Sequence, residues 1–409
     1  MRHPVLRAVP ILLLAIPLGL LLGRPASTVP LFAARTGLMC GTCHFDPNGG
    51  GPRNEYGFSF ARNRHSLEAD PDTLSPWHDL DVVNRVSENV PLYFGVNQRF
   101  MLFGNSSVKG DSLDRLGFFN MENALHFAFQ PHRRLVLVYT LDAFTSGTSN
   151  SVRNRDAFGM ISGFPLDGYV KIGRFRTPFG LRQDDHTVAT RQGFLDFSTS
   201  QGFLPYDPRN PDMGVEVGVD QSGVFGRAAF TNGPDADPLA GQYAGTKTLK
   251  VGYNSSHFQN AVSFYDDYRK ESFSGIQRAT RWGYYGLGHA GPLAAIGEIA
   301  AGTDEAEPVT PGMASGPKTN LLAGYVELDY NPLRAWNVRV RWDDLVTDRN
   351  SDPAVRDAAT HYRYSLEAEW VPVPFAELRW GLRRIDHKDE TAFGYKDETQ
   401  SFLQAHFAY

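Results

Sequence analysis

Apolar and polar residues alternate one by one along the second half of the chain. The clearest run covers residues 335–346, where apolar and polar positions take opposite faces: Trp336, Val338, Val340 and Trp342 against Asn337, Arg339, Arg341 and Asp343. Residues 361–371 and 375–385 repeat the pattern. Since successive side chains of a β-strand point to opposite faces, this period of two predicts strands with one apolar and one charged face. We therefore expect an all-β fold.

The connections between these runs alternate in length. Short ones lie near residues 130–132, 163–167, 221–223, 255–257, 291–292, 331–334 and 372–374, and long polar ones near 104–115, 146–154, 177–212, 232–246, 270–278, 303–319, 347–359 and 387–398. A soluble β-sandwich also has period-two strands, but short periplasmic turns alternating with long extracellular loops are typical of outer-membrane barrels. We predict a transmembrane antiparallel β-barrel of about sixteen strands over residues 91–409, with both ends on the periplasmic side.

The connection at 177–212 is unusually long and carries mixed charges, among them Arg182, Asp184, Asp185 and His186. It resembles the third loop of porins, which folds into the lumen and narrows it. An exposed surface loop is the alternative.

Composition and the N-terminus narrow the protein class. The charged fraction is 21% and the only long apolar run is 5–23, which excludes a helical membrane protein. The net charge of −5 gives no sign of the basic surface that nucleic-acid-binding proteins have. Arg2 and Arg7, the apolar stretch Ile11–Leu22 and the small residues that follow predict a secretory leader over residues 1–34, cleaved between about 26 and 34. A retained membrane anchor is the alternative, although the run is short and contains two prolines.

The two cysteines stand in the pentapeptide Cys40-Gly41-Thr42-Cys43-His44. This is the attachment signature of c-type haem, in which two thiols one turn apart reach the two vinyl groups and the adjacent histidine binds iron. A redox dithiol expects a βαβ context, and a zinc site needs further cysteines that the chain lacks. We predict one covalent haem c on Cys40 and Cys43, with His44 as an axial ligand, in a small cytochrome module and linker over residues 35–90.

Other residues of this module are candidates for contacts with the haem. His65 is the first candidate for the second axial ligand and His78 the runner-up; an open sixth site is a further alternative. Arg53 and Arg62 could pair with haem propionates, or be solvated charges. The run Gly49–Gly51 fits either a close approach to the porphyrin and positive φ, or a flexible turn.

The stretch Phe32–Met39, the haem motif and the following barrel together resemble the fused outer-membrane monohaem cytochrome–porin family of iron-oxidising bacteria. The resemblance implies oxidation of extracellular Fe(II) and transfer of electrons to a periplasmic cytochrome or another carrier. What the resemblance implies about site residues is confined to Cys40, Cys43 and His44. After the haem motif, the triple-glycine segment departs from the family pattern.

We therefore expect electron transfer across the bacterial outer membrane, with the cytochrome module on the periplasmic side or within the lumen and lipid around the barrel. The alternatives are a channel for small ions in which the haem serves as plug or sensor, and electron transfer outward to an extracellular acceptor. Analogy with porins suggests a homotrimer, and whether the chain is an Fe(II) oxidase is left open.

Overall fold

Sixteen antiparallel strands close into one barrel among the residues that the computed structural model describes. Those residues are 30–67, 83–107, 115–146, 149–182, 187–191, 211–233, 245–268, 276–306, 318–389 and 397–409. The barrel strands are β2 Val90–Ser107, β3 Arg115–His132, β4 Leu135–Ser146, β5 Ser149–Phe164, β6 Gly168–Phe175, β7 Asp212–Gln221, β8 Val224–Thr231, β9 Thr246–Asn254, β10 Phe258–Tyr268, β11 Ile276–Ala290, β12 Leu293–Ala306, β13 Lys318–Tyr330, β14 Trp336–Val346, β15 Thr360–Val373, β16 Ala376–His387 and β17 Glu398–Ala408. Each strand pairs with its neighbours along the chain, and β17 pairs with β2 to close the barrel. The predicted fold and strand count are confirmed.

The predicted alternation of faces is confirmed as well. On β14, Arg339 and Arg341 are buried inside the barrel, whereas Val340 between them is exposed on its outer face. Aromatic and aliphatic side chains are exposed all around the outer face, for example Phe118, Trp282 and Leu382. An outward apolar band over a charged interior is the surface that a lipid-embedded barrel needs.

Turns and loops divide the barrel into a short-turn end and a long-loop end. Tight turns such as 133–134, 222–223, 291–292 and 374–375 lie at the short-turn end, and the C-terminal Tyr409 pairs there with Val96 near the start of β2. A short strand, β1 (Arg85–Ser87), also pairs with β2 at this end. Within the described ranges, no helix is long and apolar enough to cross a bilayer.

One predicted loop is wrong. Residues 146–154 do not form a long connection, because β4 continues to Ser146 and β5 begins at Ser149, opposite it. The serines and asparagines of this stretch suggest a loop, but the backbone hydrogen bonds of a hairpin form regardless of side-chain polarity. The connection 347–359 is long, as predicted, and contains a short helix at Pro353–Ala358.

Residues 30–67, which we call the plug, pack against the inner face of the barrel towards the short-turn end. The plug contains helix α1 (Pro30–Thr36), a 3₁₀ turn (Cys40–Thr42) and helix α2 (Glu55–Arg62). Phe32 of α1 and Phe60 of α2 form one apolar cluster with lumen-facing side chains of β11 and β12, among them Tyr285 and Ile296. This apolar contact fixes both helices against the wall.

The described part of the long connection after β6 also lies inside the barrel. Phe179, Val188 and Arg191 are fully buried, and Arg191 Nη2 lies 2.9 Å from Glu298 Oε1 on the inner face of β12. The amide of Gly180 donates to Ser263 Oγ on β10 at 3.0 Å. The in-folded loop is therefore present as predicted, and Asp184, Asp185 and His186 lie outside the described residues.

Candidate functional site

The pentapeptide Cys40–His44, which we predict to attach haem, forms a compact turn. The amides of Cys43 and His44 both donate to the carbonyl oxygen of Cys40, at 3.1 and 3.0 Å. Cys43 is buried, Cys40 is partly exposed, and the two thiols are not joined in a disulfide. The turn therefore presents two thiols and an imidazole from five consecutive residues.

Helix α2 is docked directly on this turn by Asn54 and Gly57. The Asn54 side chain caps the helix by accepting from the Gly57 amide at 3.0 Å, and its Nδ2 donates to Thr42 O at 3.0 Å. A Cβ on Gly57 would come within 2.1 Å of Cys43 O, so only glycine allows this approach. The patterns described above do not predict either residue's role, although the sequence Asn-Glu-Tyr-Gly carries the capping signal.

The triple-glycine segment adopts positive φ throughout, at 87°, 77° and 64° for Gly49, Gly50 and Gly51. A Cβ on Gly49 would lie 3.1 Å from Cys40 Cβ and 3.4 Å from Cys40 Sγ. The predicted need for positive φ is confirmed. The segment also passes close to the first cysteine thiol.

Of the two predicted propionate-binding arginines, only Arg53 lies beside the motif. Arg53 forms an antiparallel backbone bridge with His44, and its Nη1 donates to Ala408 O at 2.6 Å. Burial lowers the pKa of Arg53 from its ordinary value, and the nearby Cys43 partly offsets this. Arg62 is exposed at the end of α2. Contact of either arginine with a propionate stays a prediction.

His65 follows α2 in a left-handed conformation with φ of 56°. Its ring centroid lies 4.5 Å from that of Phe32 and 5.6 Å from that of Phe60. Burial, followed by the positive charge of Arg53, lowers the pKa of His65 to about 3. The imidazole is thus neutral at ordinary pH, the form that binds metals. Its role as iron ligand stays a prediction, and His78 lies outside the described residues.

Two further histidines, His126 on β3 and His406 on β17, face the lumen from the barrel wall. His126 is 2% exposed and stands between two buried alanines, Ala124 and Ala128, on the inner face of β3. Neither histidine is among the candidate ligands predicted from the sequence. The sequence signal at His126 is its parity with Ala124 and Ala128, which predicts only that its side chain faces inward.

A cavity of about 440 Å³ opens between the plug and the wall beside the haem motif. It is lined by Gly41, His44, Phe45, Tyr93, Arg133 and Arg134, among others. Arg133 and Arg134 form the turn between β3 and β4, so the cavity lies at the short-turn end. Its volume falls within the range of cofactor pockets. Within the described ranges, no three His, Cys, Asp or Glu side chains are grouped to hold a bare metal ion.

No protein-family model matches this chain, and no curated protein matches it either. Solved structures do match. They include the outer-membrane channel DcaP of Acinetobacter baumannii (13% identity, covering 78% of this chain and 97% of that chain, TM-score 0.55), OprB of Pseudomonas putida (9%, 78% and 94%, 0.56) and the trimer form of OmpT of Vibrio cholerae (11%, 78% and 99%, 0.55). At these identities the likeness establishes the fold, a closed outer-membrane-porin-type barrel.

Proposed function

We propose that this chain transfers electrons across the bacterial outer membrane through one c-type haem held by the plug. The observation that carries the proposal is the position of the motif: Cys40, Cys43 and His44 lie on a plug packed inside the barrel, and His44 lines a cavity large enough for a cofactor. The positive-φ glycine beside Cys40 supports it, because the missing side chain clears the first thiol.

The outward apolar band and the likeness to outer-membrane porins support a location in the outer membrane. Short turns face the periplasm in such barrels, so the plug and its cavity would open to the periplasm. The trimer form of OmpT makes a homotrimer the first oligomeric state to test.

The chain's own residues would bind, orient and shield the cofactor. Cys40 and Cys43 would form the thioether bonds, and His44 would occupy one axial position. Arg53 brings a buried positive charge to the same turn. When bound, a c-type haem supplies one-electron redox chemistry, with a potential set by its ligands and burial.

The family resemblance favours extracellular Fe(II) as the donor and a periplasmic cytochrome as the acceptor. A bilayer core is about 30 Å thick, too far for a barrel wall to conduct electrons without a cofactor. The lumen must therefore bring the donor close to the plug, or a partner must supply further cofactors.

The second candidate is a channel for small ions in which the plug regulates flow. The comparisons favour this alternative over electron transfer, since one of the structures that resemble this chain is a named outer-membrane channel. The in-folded loop after β6, held by the pair Arg191–Glu298, would narrow such a channel.

One experiment separates the two candidates. The protein is reconstituted in liposomes, with Fe(II) added outside and an oxidised cytochrome enclosed. Electron transfer predicts reduction of the enclosed cytochrome by the wild type and none by the Cys40→Ser/Cys43→Ser variant. A channel predicts equal solute-driven swelling for both proteins and no haem-dependent reduction, which would reject our proposal.

A further inference from the structure

We propose that His126, on the barrel wall, supplies the second axial ligand to the haem iron. The inference rests on the proposed function and names a residue outside the plug. The ligand set would then join one histidine of the plug, His44, to one of the barrel.

The His126 side chain is held as metal-binding histidines are held. Its Nδ1 lies 3.1 Å from Thr140 Oγ1 on the neighbouring strand β4, and Thr140 is fully buried. Its Nε2 is buried and has no hydrogen-bond partner among the described residues. A hydrogen bond at one ring nitrogen commonly fixes the tautomer and orientation of a ligating histidine, leaving the other nitrogen for the metal.

An unpartnered buried nitrogen is costly unless something else binds it. Leaving a buried polar atom unsatisfied costs roughly 1–3 kcal/mol, and an iron ligated by Nε2 would remove that cost. Ala124 and Ala128 flank His126 on the same inner face. Ala128 belongs to the apolar cluster that also contains Phe45 of the plug, so the inner face beside His126 packs against the segment just after the motif.

The position of His126 fits the attachment motif. Gly51 of the plug comes near Thr140, since a Cβ on Gly51 would lie 3.8 Å from Thr140 Oγ1. Two residues on, Arg53 forms the backbone bridge with His44. Thr140 is in turn the residue whose Oγ1 lies 3.1 Å from His126 Nδ1. The wall histidine and the motif histidine therefore belong to the same region of the lumen.

The other wall histidine serves as a matched control. His406 also has a buried Nε2 without a hydrogen-bond partner among the described residues, and its Nδ1 lies 3.6 Å from Glu377 Oε2. However, His406 is opposite Arg99 on β2 and His126 is opposite Gly95. Four residues along a strand span about 13 Å, so the two histidines lie at different depths and on opposite sides of β2.

A ligand from the wall has a structural consequence. The iron would reach its full coordination only when the plug is docked, so the spin state of the haem would report docking. A ligand from His65 would instead complete the coordination within the plug itself.

The test compares the visible and electron paramagnetic resonance spectra of four purified haem-loaded proteins: wild type, His126→Ala, His65→Ala and His406→Ala. We expect a six-coordinate low-spin wild type, conversion to high spin in His126→Ala, and no change in the other two. Added imidazole should restore the low-spin spectrum of His126→Ala. His126→Gln keeps a polar side chain at this position and replaces His126→Ala in the test if the alanine variant folds poorly. We expect the haem of His126→Gln to be high-spin as well.

Two results would overturn the assignment: a His126→Ala protein that stays low-spin, or a wild type that is already five-coordinate. A wild type without covalent haem would instead overturn the proposed function as a whole. A haem stain of the same samples distinguishes these failures.

Discussion

The ammonium nitrogen of Lys171, on the inner face of β6, lies 3.1 Å from Oδ2 of Asp46 in the plug. The same nitrogen lies 3.1 Å from Glu216 Oε1 on β7, and Asn48 of the plug donates to the Glu216 carboxylate at 2.9 Å. Lys171 is completely buried. A shared buried cation thus ties the segment just after the haem motif to the barrel wall.

Replacing Lys171 by Met should loosen the plug. The change leaves two carboxylates buried without their cation, and breaking a buried ion pair from one side typically costs about 3–5 kcal/mol. We expect a loss of that order in the free energy that protects residues 30–67 from native-state proteolysis. The control, Arg278→Met, removes an exposed pair with Asp266 on the barrel and should change this protection by less than about 1 kcal/mol. Equal effects of the two substitutions would show that Lys171 does not hold the plug.

Gly57→Ala should impair formation of the turn at Cys40–His44. The new methyl group would meet Cys43 O at 2.1 Å, so α2 must move away from the motif. We expect a lower yield of covalent haem per barrel, measured as haem absorbance against protein. Ser59→Ala is the control, since Ser59 is exposed on the same helix. An unchanged haem yield in Gly57→Ala would mean that the helix does not need this close approach.

His65 should make plug stability depend on pH in the haem-free Cys40→Ser/Cys43→Ser protein. Its pKa is about 3 when folded, against an ordinary value of about 6.5. Above about pH 6.5 the His65 imidazole is neutral in both the folded and the unfolded plug, so its titration does not lower the stability of the plug. As the pH falls from about 6.5 towards about 3, only the unfolded plug gains the proton, so stability falls. Adding His65→Gln should flatten the pH dependence of plug proteolysis; a slope that persists would place the titrating group elsewhere.

The mature chain should begin before Phe32. Phe32, Ala33 and Ala34 are 5%, 3% and 0% exposed and pack against the barrel interior through α1. Cleavage late in the predicted interval, after Ala34, would remove these contacts. The intact mass of the secreted protein should therefore place its N-terminus between about residue 26 and Phe32. A chain that starts at Arg35 would contradict this expectation.

The barrel could be predicted from sequence because its signal is local. On β14 to β16, each residue's face follows from a period of two, and the alternation of Arg339, Val340 and Arg341 predicts inside and outside correctly. The hairpin at 146–149 could not be predicted this way, since serine and asparagine fit both a loop and the exposed tip of a strand pair.

The surroundings of the haem motif were harder to predict than the motif itself. Cys40, Cys43 and His44 are adjacent in sequence, so the pentapeptide alone indicates their chemistry. Lys171, Thr140 and His126 reach the plug only through closure of the barrel, more than 70 residues further along the chain. No local pattern distinguishes such residues from other lumen-facing side chains.

The presence of covalent haem is the most direct test of the account. The purified protein is fully denatured, separated by gel electrophoresis and stained for haem, with Cys40→Ser/Cys43→Ser run beside it. We predict a haem-positive wild-type band, a blank variant band, and an intact wild-type mass that exceeds the polypeptide by one haem. A wild-type band that stays blank, from cells that mature other c-type cytochromes, would contradict the account and leave a plugged channel.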